Sequence, residues 1–139
     1  MADIAGREEL AAMIEGKSDD EINAGVAERG TDEVLGQIFN HMAKESFRPE
    51  RAGNQSAVVG WDITAPDGTH SYELKVADGT CTVLPGGTEP ARVTLGMALP
   101  DFLRFVTGKL DGMQAFMTGK LKLSGDMMFA QSMQAWFAQ

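Results

Sequence analysis

The sequence is poor in the residues that build redox, metal and nucleic-acid sites. Cys81 is its only cysteine, which excludes an internal disulfide, a CxxC redox pair and a cysteine-rich zinc site. A reducing compartment fits that count. His41 and His70 are the only histidines, too few for a typical histidine-based zinc site, so neither a metal nor a cofactor is expected. Basic residues are outnumbered, 12 Lys and Arg against 20 Asp and Glu, for a formal charge of −8. With a pI near 4.6, the chain lacks the global basic surface that nucleic acid or an anionic membrane selects. No nucleic-acid partner and at most transient membrane contact are expected. No stretch approaches the roughly 20 consecutive apolar residues of a transmembrane helix. The acidic start, Met1-Ala2-Asp3-Ile4, lacks the basic and apolar regions of a signal peptide. The end, Trp136-Phe137-Ala138-Gln139, lacks the Ser-Lys-Leu peroxisomal address. The expected location is cytoplasmic, and a bacterial cytoplasm suits that ending.

What remains is an ordinary soluble composition. Of 139 residues, 43% are hydrophobic and 23% charged, enough to bury a core in one domain. Residues 1–30 read as helical but weakly apolar, with Leu10, Met13 and Ile14 on one face and a Ser18/Glu21 capping box ahead of Ile22 and Val26. Thr31 caps a longer helix to about Phe47, in which Leu35, Ile38, Phe39 and Met42 recur at helical spacing before Pro49.

From Ser56 the period changes to two. Val59, Trp61 and Ile63 alternate with polar or small residues, and a turn at Pro66-Asp67-Gly68-Thr69 follows. With Asp67-Gly68 at the turn centre, Ile63 pairs with Tyr72, Trp61 with Leu74 and Val59 with Val76, and all share one face; a three-residue loop with a bulge is the alternative. A second hairpin at Asp78-Gly79 pairs Val76 with Cys81 and Leu74 with Val83. Val93, Leu95 and Met97 form a fourth strand. Pro100 suits a first helical turn ahead of Phe102, Leu103, Phe105 and Val106. A short helix carries Met113, Phe116 and Met117, and Lys120-Leu121-Lys122-Leu123 reads as an edge strand with its lysines outward. Asp126 N-caps a last helix with Phe129, Met133, Trp136 and Phe137. The predicted order is helices, four strands, two helices, one strand and a final helix.

Six of nine methionines, Met97, Met113, Met117, Met127, Met128 and Met133, fall in the C-terminal part among Phe102, Phe105, Phe116, Phe129, Trp136 and Phe137. Methionine is flexible and polarizable, so such a wall adapts to apolar ligands of different shape; a plain core is the other reading of the same residues. Here the sequence resembles a known family. Asp101-Phe102-Leu103-Arg104-Phe105-Val106-Thr107-Gly108-Lys109-Leu110, the Ala115-Phe116-Met117 helix, Gly119-Lys120-Leu121-Lys122-Leu123 and Gly125-Asp126 are similar to the signature half of the sterol carrier protein 2 family.

The resemblance spans about residues 31–139 and leaves residues 1–30 as an N-terminal helical extension. It implies an α+β fold, a five-stranded mixed sheet with helices packed on one face, enclosing an apolar tunnel for a sterol, a fatty acyl chain or a phospholipid. The tunnel residues it implies are Ile38, Met42, Phe102, Phe105, Val106, Phe116, Met117, Met128, Phe129, Met133 and Phe137. An empty apolar cavity of about 400 Å³, at about 24 cal/mol per Å³, would cost on the order of 10 kcal/mol. The empty form is therefore expected to contract, take in water or retain a lipid.

No catalytic residue emerges from the pattern. Asp62 and Glu73 face each other across the expected hairpin, on its solvated outer face with Lys75 nearby. His41 and His70 have no evident orienting partner and read as surface residues. Cys81 falls on the apolar face, where burial raises a thiol's pKa and makes it a poor nucleophile. Gly86-Gly87 reads as a turn. Lys109, Lys120 and Lys122 are either solvated lysines or a draw for acyl-CoA and phospholipid phosphates. Non-enzymatic lipid binding and carriage is the leading expectation. The alternatives are an interaction or accessory module that meets a protein partner or a second copy through residues 1–30, and a small lyase or isomerase acting on a hydrophobic substrate.

Overall fold

The computed structural model describes residues 7–41, 43–44, 47–53, 55–86, 90–107, 109–134 and 136, apart from the side chains at 7–9, 85, 131, 133 and 134. Three helices open it: α1 (Arg7–Ile14), α2 (Asp19–Arg29) and α3 (Thr31–His41), followed by a single turn, α4 (Pro49–Ala52). The Ser18 capping box forms as expected. The Ser18 hydroxyl accepts from the Glu21 amide at 3.3 Å, and the Glu21 carboxylate accepts from the Ser18 amide at 3.1 Å.

Strands β1 (Ala57–Ala65), β2 (Gly68–Ala77), β3 (Thr80–Pro85), β4 (Val93–Ala98) and β5 (Lys122–Gly125) form one sheet in the order β3-β2-β1-β4-β5. β1 and β4 run parallel and the other pairs antiparallel, so the sheet is mixed. Helices α5 (Leu99–Val106), α6 (Gly112–Met117) and α7 (Met127–Gln134) complete the chain. This is the α+β architecture that the family resemblance implies.

The Asp78-Gly79 hairpin has the expected register, Val76 opposite Cys81 and Leu74 opposite Val83. Its two central residues have φ of 54° and 74°, the left-handed pair that suits a tight right-twisted hairpin. The first hairpin differs from expectation. Ala65 pairs with Gly68, leaving Pro66-Asp67 as the loop, so Ile63 lies opposite His70, Trp61 opposite Tyr72 and Val59 opposite Leu74. The expected register would make Pro66 close the ladder, where it has no N–H to give; proline instead takes the first central turn position, which its fixed φ favours. The displacement is two residues. Because side chains alternate with period two, the apolar set keeps its face.

That face carries Val59, Trp61, Ile63, Leu74, Val76, Val93, Leu95 and Met97, all buried in one cluster with Val34, Leu35, Ile38 and Phe39 of α3 and Leu99, Phe102 and Leu103 of α5. Leu10 and Ile14 of α1 and Ile22 and Val26 of α2 belong to the same cluster. Arg104 on α5 ties in α2 through a 2.6 Å ion pair with Asp19. α7 is seated on β4 by Arg92, whose guanidinium lies 4.2 Å from the Phe129 ring centre and whose Nε is 3.2 Å from Asp126. The Asp126 carboxylate also accepts from the Phe129 amide at 2.9 Å, the N-cap predicted from sequence.

Candidate functional site

The centre of the apolar face is a cluster of rings. Trp61 stands on the middle strand, and Phe39 approaches it from α3 at 5.8 Å, Phe102 and Phe105 from α5 at 5.7 and 6.3 Å between ring centres. Phe39 stacks on Tyr72 at 4.8 Å and on Phe102 at 5.3 Å. Such pairs add about 0.5–1.5 kcal/mol each beyond their burial. Helix and strand periodicity explain the convergence. Ile38 and Phe39 take the buried stripe of α3, Phe102 that of α5, and Trp61 shares the parity of Val59 and Ile63.

The residues assigned to a tunnel wall divide into three groups. Ile38, Phe102 and Phe129 are buried, and Phe105 and Val106 are partly buried against the same cluster. Phe116, Met117 and Met128 stand out of it, 38%, 78% and 81% exposed. Met42, Phe137 and the side chain of Met133 lie outside the described residues. Met113 and Met127 are also exposed, so α6 and the start of α7 present five large apolar side chains to solvent.

Sequence reasoning left Trp61, Phe39 and Tyr72 out of the site, although the parity of Trp61 and the neighbouring positions of Ile38 and Phe39 were there to read. Trp61 matters most. Its indole Nε1 is buried without a hydrogen-bond partner, a condition that costs about 1–3 kcal/mol for a neutral donor.

The family model for the SCP-2 sterol transfer family matches residues 35–138, three-quarters of the chain. The chain belongs to the SCP-2 sterol transfer family. Among curated relatives, human Sterol carrier protein 2 is 39% identical over 64 residues, covering 46% of this chain and 12% of that protein. Mouse Hydroxysteroid dehydrogenase-like protein 2 is 32% identical over 102 residues, covering 70% of this chain and 20% of that protein. The chain thus spans between about an eighth and a fifth of these relatives. Sterol Carrier Protein 2 Like 2 from Aedes aegypti shares the fold, with a TM-score of 0.61 at 20% identity over 77% of this chain and 95% of that one.

On this SCP-2 scaffold the polar candidates fall elsewhere. Asp62 and Glu73 are not opposite each other. The shifted register sets Asp62 beside Ser71, whose hydroxyl donates to it at 2.8 Å, and sets Glu73 opposite Gly60, only 4% exposed rather than solvated. His70 is not a plain surface residue either. The register aligns it with Tyr72 and Leu74, and its ring is held between Asp32 of α3 at 2.6 Å and Asp67 of the turn at 2.8 Å. Those carboxylates, Asp67 first, raise its pKa. Asp32 is lowered by His70 and then Tyr72, whose own hydroxyl is raised by burial and by Asp32.

Cys81 is pushed up to about 12 by burial, the inert thiol its position predicts. Lys120 and Lys122 line a groove of about 670 Å³ together with Asp62, Thr64, Thr94, Asp101 and others. Asp62, Thr64 and Thr94 alternate with buried Ile63 and Leu95, which places most of the groove on the outer face of the sheet, while Asp101 borders it from the start of α5. Gly86 packs on Ser71 so closely that a Cβ there would lie 2.4 Å from the serine Cβ, so the turn after β3 requires glycine.

Proposed function

We propose that this chain binds and carries a long-chain hydrophobic ligand without catalysing a reaction, holding it in an apolar tunnel between the sheet and the helices that cover it. Family membership supplies the frame. The observation that carries the reading is the exposure of Phe116, Met117 and Met128 on α6 and α7. Large apolar side chains left in water on α6 and α7 cost free energy that a bound lipid would recover, and methionine repacks with little rotamer penalty. A cavity protein is expected to contract when empty. In the filled form Ile38, Met42, Phe102, Phe105, Val106, Phe116, Met117, Met128, Phe129, Met133 and Phe137 line the ligand, which is a sterol, a fatty acyl chain or a phospholipid. The protein acts in the cytoplasm; among the described residues no helix is long and apolar enough to cross a membrane.

Native mass spectrometry of protein purified without detergent, followed by solvent extraction, tests this. One lipid per chain and a raised melting temperature on adding lipid are expected. A clean protein mass and an unmoved melting temperature with sterol, fatty acid and phospholipid alike would overturn it.

A second reading treats the chain as an accessory module. Its relative Hydroxysteroid dehydrogenase-like protein 2 is five times longer than the matched segment, so the family's fold occurs inside larger proteins. In this version residues 31–139 are the lipid-binding unit and residues 1–30 are an extension that receives a protein partner or a second copy. Charge reversal at exposed Glu28 and Arg29 of α2 would then abolish partner capture and leave lipid occupancy intact.

A further inference from the structure

We propose that the indole N–H of Trp61 donates a hydrogen bond to the polar end of a neutral lipid, so that the ligand's hydroxyl or ester carbonyl lies innermost, against the centre of the sheet. This rests on the lipid-binding reading and adds to it the ligand's polar group and its orientation. Trp61 is 2% exposed and its Nε1 has no partner. Phe39, Phe102 and Phe105, its ring neighbours, carry no acceptor, and the Tyr72 hydroxyl on the adjacent strand is already committed to Asp32 at 2.9 Å.

A position that needed only bulk would be served by phenylalanine, with no donor to desolvate. Among the described residues two other buried side-chain polar atoms lack partners, Asn23 Oδ1 and Gln37 Oε1. Both belong to partly exposed residues on α2 and α3, where side-chain rotation reaches water. Trp61 has no such route, because its strand is fixed on both sides, to Tyr72 and to Leu95.

The donor is a single neutral N–H with no cation among its ring neighbours. It therefore suits a neutral oxygen, since a carboxylate placed there would lose its hydration for one hydrogen bond. His70, two positions from Tyr72 on the adjacent strand, is occupied by Asp32 and Asp67.

Methyl palmitate and octadecane form a matched pair of similar length, with and without an acceptor. Each is delivered from cyclodextrin to the full chain, with occupancy read by native mass spectrometry and the indole N–H signals of Trp61 and Trp136 by ¹⁵N-edited NMR. Methyl palmitate is expected to move the Trp61 indole proton downfield, and octadecane to bind without that shift. W61F is expected to lose about tenfold in affinity for methyl palmitate and little for octadecane.

Bound methyl palmitate with an unshifted Trp61 signal would overturn the proposal, as would equal weakening of both ligands in W61F. Should that variant not fold, the wild-type spectrum decides alone. Absence of both probes from the mass spectrum while a sterol, fatty acid or phospholipid still binds would overturn this inference alone; absence of all of them would remove the lipid-binding reading itself, and this inference with it.

Discussion

His70 Nδ1 lies 2.6 Å from Asp32 Oδ1, while its other ring nitrogen is 2.8 Å from Asp67. Only the imidazolium donates from both nitrogens, so the protonated ring straps α3 to the β1–β2 turn; the neutral ring turns a lone pair toward one carboxylate. The folded-state pKa is raised by Asp67 and Asp32. Such a group stabilises the fold fully below its unfolded value and progressively less as pH rises through its folded value. Thermal melts of wild type and H70Q are expected to differ most below the unfolded histidine value of about 6.5 and to converge as pH rises through the raised folded value. A difference that grows with pH would contradict the assignment.

Phe102 meets both Phe39 and Trp61 and is fully buried. Truncation to alanine is expected to cost about 3–5 kcal/mol in chemical denaturation, the range for a large aromatic removed from a packed core. If the ligand enters this cluster, added lipid will recover part of that loss in F102A by filling the space.

Cys81 sits on β3 opposite Val76, and burial lifts its thiol to about 12. Alkylation by iodoacetamide at neutral pH is expected to be slower than for a free thiol by orders of magnitude, and to reach the model-thiol rate only in denaturant. Rapid labelling of the native protein would show that β3 opens locally.

Much of this is legible in the sequence itself. The succession of helices and strands along the chain, the Asp78-Gly79 turn, the Ser18 and Asp126 caps and the buried stripes of α3 and α5 follow from periodicity and turn chemistry, which act over a few residues. The misplacement of the first hairpin came from reading Asp67-Gly68 as a turn centre while overlooking that Pro66 would then have to pair. That one choice hid His70 from Asp32 and brought Asp62 opposite Glu73. A long-range partner such as Asp32, 38 residues away, leaves no periodic signal at all. The unpaired indole of Trp61 was equally invisible, because an orphan donor is defined by everything that surrounds it.

Met117 and Met128 are expected to separate stability from binding. Both are largely exposed, so M117Q and M128Q should change folding stability by no more than about 0.5 kcal/mol. If these side chains close over the ligand, the double variant will lose lipid occupancy in native mass spectrometry. Retained occupancy would place the ligand away from α6 and the start of α7.

The N-terminal helices set the last expectation. Leu10, Ile14, Ile22 and Val26 are buried in the same core as the sheet, and each such side chain contributes about 1.5–3 kcal/mol on burial. A domain has only about 5–15 kcal/mol of net stability. A chain starting at Thr31 also removes Asp19, the 2.6 Å partner of Arg104 on α2, leaves Arg104 its 3.3 Å pair with Asp101, and uncovers the side of α5 that α1 and α2 contact. It is expected to lose its cooperative thermal transition in circular dichroism and to bind apolar dyes. An unchanged, cooperative melt would mean that residues 1–30 dock too weakly to matter. They would then be free to leave α5 when a ligand or partner arrives, and the core on α5 would have to close without them.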